Sequence, residues 1–162
     1  MSSPARATIH LPDASATEAL ARRVAPLLKS GDTILLSGEI GSGKSTFARA
    51  LIKHRLQEIG RDEDVPSPTF TLVQTYDVGN VEIWHCDLYR LTDPDEALDL
   101  GLEEAFEQAI CLIEWPDRLG MLAPPGALRI ELTETPDDAR LLTYSSSSGW
   151  DHILPQLQEA TA

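Results

Sequence analysis

The sequence predicts a three-layer α/β domain with a mixed parallel and antiparallel sheet, and three observations predict it. A short β-forming run, "TILLS", leads into a glycine-rich loop and then into "STFARALIKHRLQEIG", whose apolar residues recur at helical spacing. Two alternating runs flank Gly79-Asn80, and an apolar run, "ICLI", ends in the acid Glu114. A strand-loop-helix unit calls for parallel strands covered by helices, while a hairpin adds antiparallel ones. At 162 residues the chain can bury about two-thirds of its unfolded surface, so residues 1–162 are expected to form one domain.

The elements follow in order. "ASATEALARRVAPLLKSG" places Ser15 three residues before Glu18, the spacing of a capping box. Leu20, Val24, Leu27 and Leu28 then share one face, Gly31 ends the segment, and Pro26 predicts a bend. After the strand and loop, Phe47, Leu51, Leu56 and Ile59 mark the second helix, with Gly60 as its stop. "TFTLVQTYDV" and "VEIWHCDLYRL" form the predicted hairpin. "TDPDEALDLGLEEAFEQ" starts at Asp93-Pro94 and is expected as two short helices broken at Gly101. "AICLIEW" is a buried strand halted by Pro116, "ALRIELTE" and "ARLLTYS" a second antiparallel pair, "SSSSG" a loop, and "WDHILPQLQEA" a terminal helix.

The loop carries the chemistry. Gly38-Glu39-Ile40-Gly41-Ser42-Gly43-Lys44-Ser45 fits G-x-x-x-x-G-K-[ST] without a gap. Its glycines let backbone N–H groups turn inward at the positive end of the following helix, which suits a nucleotide's β-phosphate. Lys44 would then bridge the β- and γ-phosphates, Ser45 would offer its hydroxyl to Mg²⁺, and Thr46 would reach the α-phosphate. A nucleotide and Mg²⁺ are therefore the expected ligands, and the fold is expected to be that of a P-loop NTPase. Such a site needs an acid at the end of a neighbouring strand. Glu114, after four apolar residues, has the Walker B layout; Asp87, in "HCDLYR", is the competing acid. His85 alternates onto the same strand face as Asp87 and reads as its hydrogen-bonding neighbour, with Arg90 close by, while Trp115 reads as core. "VPSPTFT" is either a stiff connector or a nucleotide-sensing switch.

Charge limits the partners. The net charge is −13, and it is uneven: residues 1–90 hold ten Lys/Arg against eleven Asp/Glu, whereas residues 91–162 hold three against fifteen. The acidic half would repel a phosphate backbone, so tight direct nucleic-acid binding by that half is not expected. Cys86 and Cys111 are too few for a disulfide framework and read as buried thiols of a reducing compartment. No stretch has the length of a signal-peptide core or approaches the ~18 apolar residues of a membrane span, so a cytoplasmic protein with no membrane contact is expected.

"GEIGSGKST", "SPTFTLVQTY", "HCDLYRL" and "IEWPDRLG", in this order, resemble the TsaE (YjeE) family of bacterial P-loop ATPases, from about Thr17 to Leu142. The resemblance implies a role in threonylcarbamoyladenosine modification of tRNAs that read codons beginning with adenosine, together with a TsaB–TsaD pair. It implies a weak ATPase stimulated in that complex. It also implies a phosphate loop over Gly38 to Thr46, Mg²⁺ at Ser45 and Glu114, Asp87 near the γ-phosphate, a switch over Ser67 to Phe70, and Thr17 near the nucleotide. The family usually has Asp-Leu where this chain has Glu39-Ile40, and often Thr in place of Ser45; both changes keep the chemistry. After Arg140 the match is poor, and no adenine contact is assigned there. Two other functions fit the loop alone: a small-molecule kinase, which the scarcity of basic residues after Arg90 argues against, and a nucleotide-gated binding module without useful turnover.

Overall fold

Alternating strand and helix segments build one seven-stranded sheet in the computed structural model, which describes residues 5–68, 71–147 and 149–161. The strands are β1 (Ala5–Leu11), β2 (Thr33–Ser37), β3 (Val73–Asp77), β4 (Glu82–Asp87), β5 (Ile110–Glu114), β6 (Leu128–Glu134) and β7 (Arg140–Ser146). The helices are α1 (Ala14–Val24), α2 (Lys44–Glu58), α3 (Asp95–Asp99), α4 (Leu102–Gln108) and α5 (Leu154–Thr161). In space the strands run β1-β7-β6-β2-β5-β4-β3. The central four, β6, β2, β5 and β4, are mutually parallel, while β7 lies antiparallel to β6 and β1, and β3 antiparallel to β4. The mixed sheet is thus the expected one, with its parallel strands at the centre, where both faces are covered.

Side-chain parity builds the three layers. Ile34 and Leu36 of β2, with Ile110 and Leu112 of β5, pack into one cluster with Leu20 and Val24 of α1 and Phe47 and Leu51 of α2. The intervening Leu35, Cys111 and Ile113 join a second cluster with Ala97 of α3 and Leu102 and Ala105 of α4. Both cysteines are buried free thiols of this second core. Burial without a charge partner pushes the Cys111 thiol up to about 12 and Cys86 well above its ordinary value.

Several local expectations change. Residues 5–11, for which the sequence reading proposes no element, form the edge strand β1 against β7. α1 is capped not by Ser15 but by Asp13, whose carboxylate accepts from the Ala16 N–H at 2.9 Å. The proline does not bend α1; it ends it, since a 3₁₀ turn over Ala25–Leu27 follows at once. Leu27 is consequently exposed, unlike Leu20, Val24 and Leu28. The break between α3 and α4 is at Gly101, as expected, with φ of 86°. Two serines of "SSSSG" belong to β7, Ser148 lies outside the described residues, and α5 begins only at Leu154. Thr69 and Phe70, in the predicted first hairpin strand and the switch-like segment, also lie outside the described residues.

Candidate active site

The parallel strands β2, β5 and β4 end side by side, and the loop after β2 turns over their carboxyl ends. Two glycines there are obligatory. Gly38 has φ of 144°, and a Cβ on it would run into the Leu132 carbonyl oxygen of β6. Gly43, with φ of 109°, is the left-handed residue from which α2 starts. The loop borders a cleft of about 430 Å³. Ile40, Gly41, Ser42, Gly43, Lys44, Ser45 and Thr46 all line it, as do Asp87 and Glu114 from the two strand ends. Thr17, buried in the first turns of α1, closes another side. Glu39 is not among the lining residues, and its carbonyl takes part only through Lys44. Ser67, at the start of the switch-like segment, reaches the cleft as well.

Lys44 is folded back on its own loop. Its ammonium donates to the Gly38 carbonyl and, at 3.3 Å, to that of Glu39, and lies 3.9 Å from the centre of the Trp115 ring. Desolvation by burial lowers its pKa, a shift that nearby Glu114 and Asp87 oppose. A buried cation whose hydrogen-bond partners are neutral carbonyls has unused affinity for an anion, and that fits a phosphate. Beside it, the Ser45 hydroxyl stands 3.0 and 3.2 Å from the two oxygens of Glu114. The pairing follows from parity: Glu114 shares its strand face with Ile110 and Leu112, the face that α2 covers. Asp87 is the register partner of Glu114 on β4, so both acids stand at one edge of the site. One Asp87 oxygen accepts from the Tyr89 N–H at 3.1 Å.

His85 departs from its expected place. It is fully buried and its Nε2 lies 2.6 Å from Glu114 Oε2, so it serves Glu114 and not Asp87. Trp115 is not simply core: with φ of 59° it turns the chain after β5 and forms the cleft wall, its ring 5.0 Å from that of Tyr89. Three charged lining residues escape a sequence reading altogether. Arg140 on β7 donates to the carbonyls of Gly41 and Ser42, each at 3.1 Å, and pairs with Glu134 at 3.1 Å. Asp138 lies in the same β6–β7 turn, and Asp13, the cap of α1, sits beside Thr17.

Comparison with known proteins agrees with this geometry. The family model for threonylcarbamoyl adenosine biosynthesis protein TsaE matches residues 11–142, a span containing all of the side chains just described. The chain belongs to the TsaE family. Among TsaE proteins, that of Rickettsia felis is 38% identical over 142 residues, covering 88% of this chain and 81% of the relative. That of Bacillus subtilis strain 168 is 36% identical over 131 residues, covering 80% and 79%. A crystal structure of Bacillus subtilis YdiB superimposes with a TM-score of 0.75 at 25% identity over 99% of this chain and 97% of that one. The P-loop NTPase fold expected of a TsaE protein is therefore the observed one. Among the described residues no helix is long and apolar enough to cross a membrane, and no group of three or more His, Cys, Asp and Glu is arranged to hold a metal. Ser45 and Glu114 offer two oxygen donors, which suits an ion such as Mg²⁺ that takes its other oxygens from phosphate and water.

Proposed function

We propose that this chain is an ATP-binding and ATP-hydrolysing accessory protein for threonylcarbamoyladenosine modification of tRNAs that read codons beginning with adenosine. It acts on a TsaB–TsaD complex, as a weak ATPase that the complex stimulates. The observation that carries the hydrolytic part is the contact of Ser45 with Glu114, at 3.0 and 3.2 Å, directly beside the buried Lys44. A P-loop serine and a strand-end acid in contact form the seat that Mg²⁺ needs.

Each residue has a task in this reading. The loop N–H groups between Gly41 and Ser45, apart from that of Ser42, which donates to the Glu39 carbonyl at 3.1 Å, bind the β-phosphate, and Thr46 the α-phosphate. Lys44 leaves the Gly38 and Glu39 carbonyls and crosses to the β- and γ-phosphates, exchanging neutral partners for anionic ones. Ser45 and Glu114 hold Mg²⁺, which when bound draws negative charge from the phosphate oxygens. Asp87, one oxygen tied to the Tyr89 N–H, keeps its other oxygen for orienting the attacking water. Thr17 borders the nucleotide. Of the three basic residues after Arg90, Arg140 is already engaged by the phosphate-loop carbonyls and Glu134, so a kinase's acceptor phosphate would have little beyond Arg118 as a clamp.

The test is steady-state ATP hydrolysis by the purified chain and its Lys44→Ala variant, alone and with a TsaB–TsaD pair, with no small-molecule acceptor. The expected result is slow turnover alone, stimulation by the pair, and loss of both in the variant. Turnover that needs an added metabolite and ignores the pair would return the kinase reading.

A further inference from the structure

The pair His85 and Glu114 asks for an explanation that core packing does not provide. β4 and β5 run parallel with His85 opposite Leu112 and Asp87 opposite Glu114. His85 is therefore the diagonal neighbour of Glu114 on the face that α2 covers, and both side chains are almost wholly removed from solvent. The imidazole Nε2 meets Glu114 Oε2 at 2.6 Å, while Nδ1 is buried with no hydrogen-bond partner among the described residues. Burying an imidazole with one ring nitrogen unpaired is unfavourable, and a leucine would fill the same space without that penalty.

Glu114 shows what the histidine does. Its Oε1 and Oε2 lie 3.0 and 3.2 Å from the Ser45 hydroxyl, and Oε2 is in addition held at 2.6 Å by His85. A carboxylate with two equivalent oxygens can rotate either toward a metal, or accept a proton-donating neighbour with both. Oε2 is thus shared between Ser45 and His85, while Oε1 has Ser45 alone as its partner among the described residues and is the oxygen left to turn to a metal beside Ser45. We propose that His85 is a positioning residue: its Nε2–H fixes Glu114 Oε2 and thereby presents Oε1 to the metal held with Ser45. The inference rests on the ATPase reading above and deepens it, because orienting partners behind a metal-binding carboxylate commonly set metal affinity and turnover.

Three variants separate this role from packing. His85→Leu keeps volume and removes the donor; His85→Gln places an amide nitrogen where Nε2 stood; His85→Asn has an amide too short to reach. Each is measured for affinity to a fluorescent ADP analogue without metal, for Mn²⁺ binding to its ADP complex by electron paramagnetic resonance, and for kcat. Metal-free ADP affinity is expected to stay within about twofold, since that step uses the loop and not Glu114. Mn²⁺ affinity and kcat are expected to fall about 10- to 100-fold in the Leu and Asn variants and to return close to the wild-type level in the Gln variant. Wild-type Mn²⁺ affinity in the Leu variant would overturn the proposal. So would equal impairment of all three, or loss of metal-free ADP binding in all three, which would make His85 a residue of the fold. If the Leu variant alone fails to fold, the Gln and Asn pair decides. A wild-type chain that binds no ADP would instead remove the nucleotide reading itself, which keeps the two failures apart.

Discussion

The ammonium of Lys44 is buried, yet its hydrogen bonds go to two neutral carbonyls and its third side faces an indole ring. Desolvation therefore holds its pKa below the ordinary lysine value of 10.5 in the free protein. A bound phosphate favours the charged form and moves the pKa up again, so nucleotide binding takes up a proton wherever the free lysine has lost one. The sign is then fixed: affinity for metal-free ADP falls as pH rises through the lowered pKa of the free protein. Titrating that affinity from about pH 8 to about pH 10 should show an alkaline decline in the wild type, starting below the ordinary lysine range, and a flat, weaker profile in Lys44→Met. A wild-type profile as flat as the variant's would refute the assignment. The neighbouring acids divide their work by position. Glu114 touches Ser45, whereas Asp87, across the strand pair, does not share that contact. Asp87→Asn keeps the bond from the Tyr89 N–H and the shape of the site, so it should lower kcat by about 10²-fold or more while leaving ADP affinity unchanged. Loss of affinity instead, measured with a fluorescent ADP analogue, would transfer Asp87 to the binding machinery.

At the scale of elements, the β6–β7 hairpin acts as a rest for the phosphate loop. Gly38 lies against the Leu132 carbonyl of β6, and the Arg140 guanidinium of β7 joins Gly41 and Ser42 to Glu134. Removing that guanidinium frees two loop carbonyls and lets the loop sample conformations in which its N–H groups no longer converge. Arg140→Ala should therefore weaken ADP binding about tenfold, the equivalent of one charge-assisted hydrogen bond of ~1.5 kcal/mol, with little effect on kcat at saturating ATP. Arg140→Lys should recover only part, since an ammonium lacks the fork that spans both carbonyls; isothermal titration of the three proteins checks the order. None of this is legible in the sequence. The loop, its flanking strand and helix, and the acid at the end of "ICLIE" are local patterns, and they appear where the pattern places them. Arg140 meets the loop across 98 positions of chain, and β1 is defined by a partner at the other end of the sequence. Ala7, Ile9 and Leu11 do alternate, but so short an alternation has no pairing partner until the fold supplies one. His85 marks the boundary between the two cases. Its face was readable from alternation, while its partner depended on the β4–β5 register, which no local pattern encodes.

Across the whole molecule, the acidic excess has a location. Asp93, Asp95, Asp99, Glu103, Glu104 and Glu107 are exposed on or beside α3 and α4, the layer that covers one face of the sheet. Exposed Arg22, Arg23, Lys29 and Lys53 belong to the segments around α1 and α2 that cover the other face. The protein thus has a strongly negative side and only a scattered set of cations opposite, with no positive stripe on which a phosphate backbone would release counterions. On the proposed function, a protein with this surface would leave the RNA contact to its partners and work through protein docking. Fluorescence anisotropy with labelled tRNA should accordingly show, for the isolated chain at physiological salt, binding no tighter than about 10⁻⁴ M, the weak end of non-specific association. Lowering the salt should gain little, because few phosphates are neutralised and the slope of affinity against salt is set by their number. Under the proposed function, adding a TsaB–TsaD pair should bring the chain onto tRNA as part of a larger assembly. Saturable micromolar binding by the chain alone, with a steep salt slope, would mean that its few cations converge on the RNA, and the docking reading would have to be abandoned.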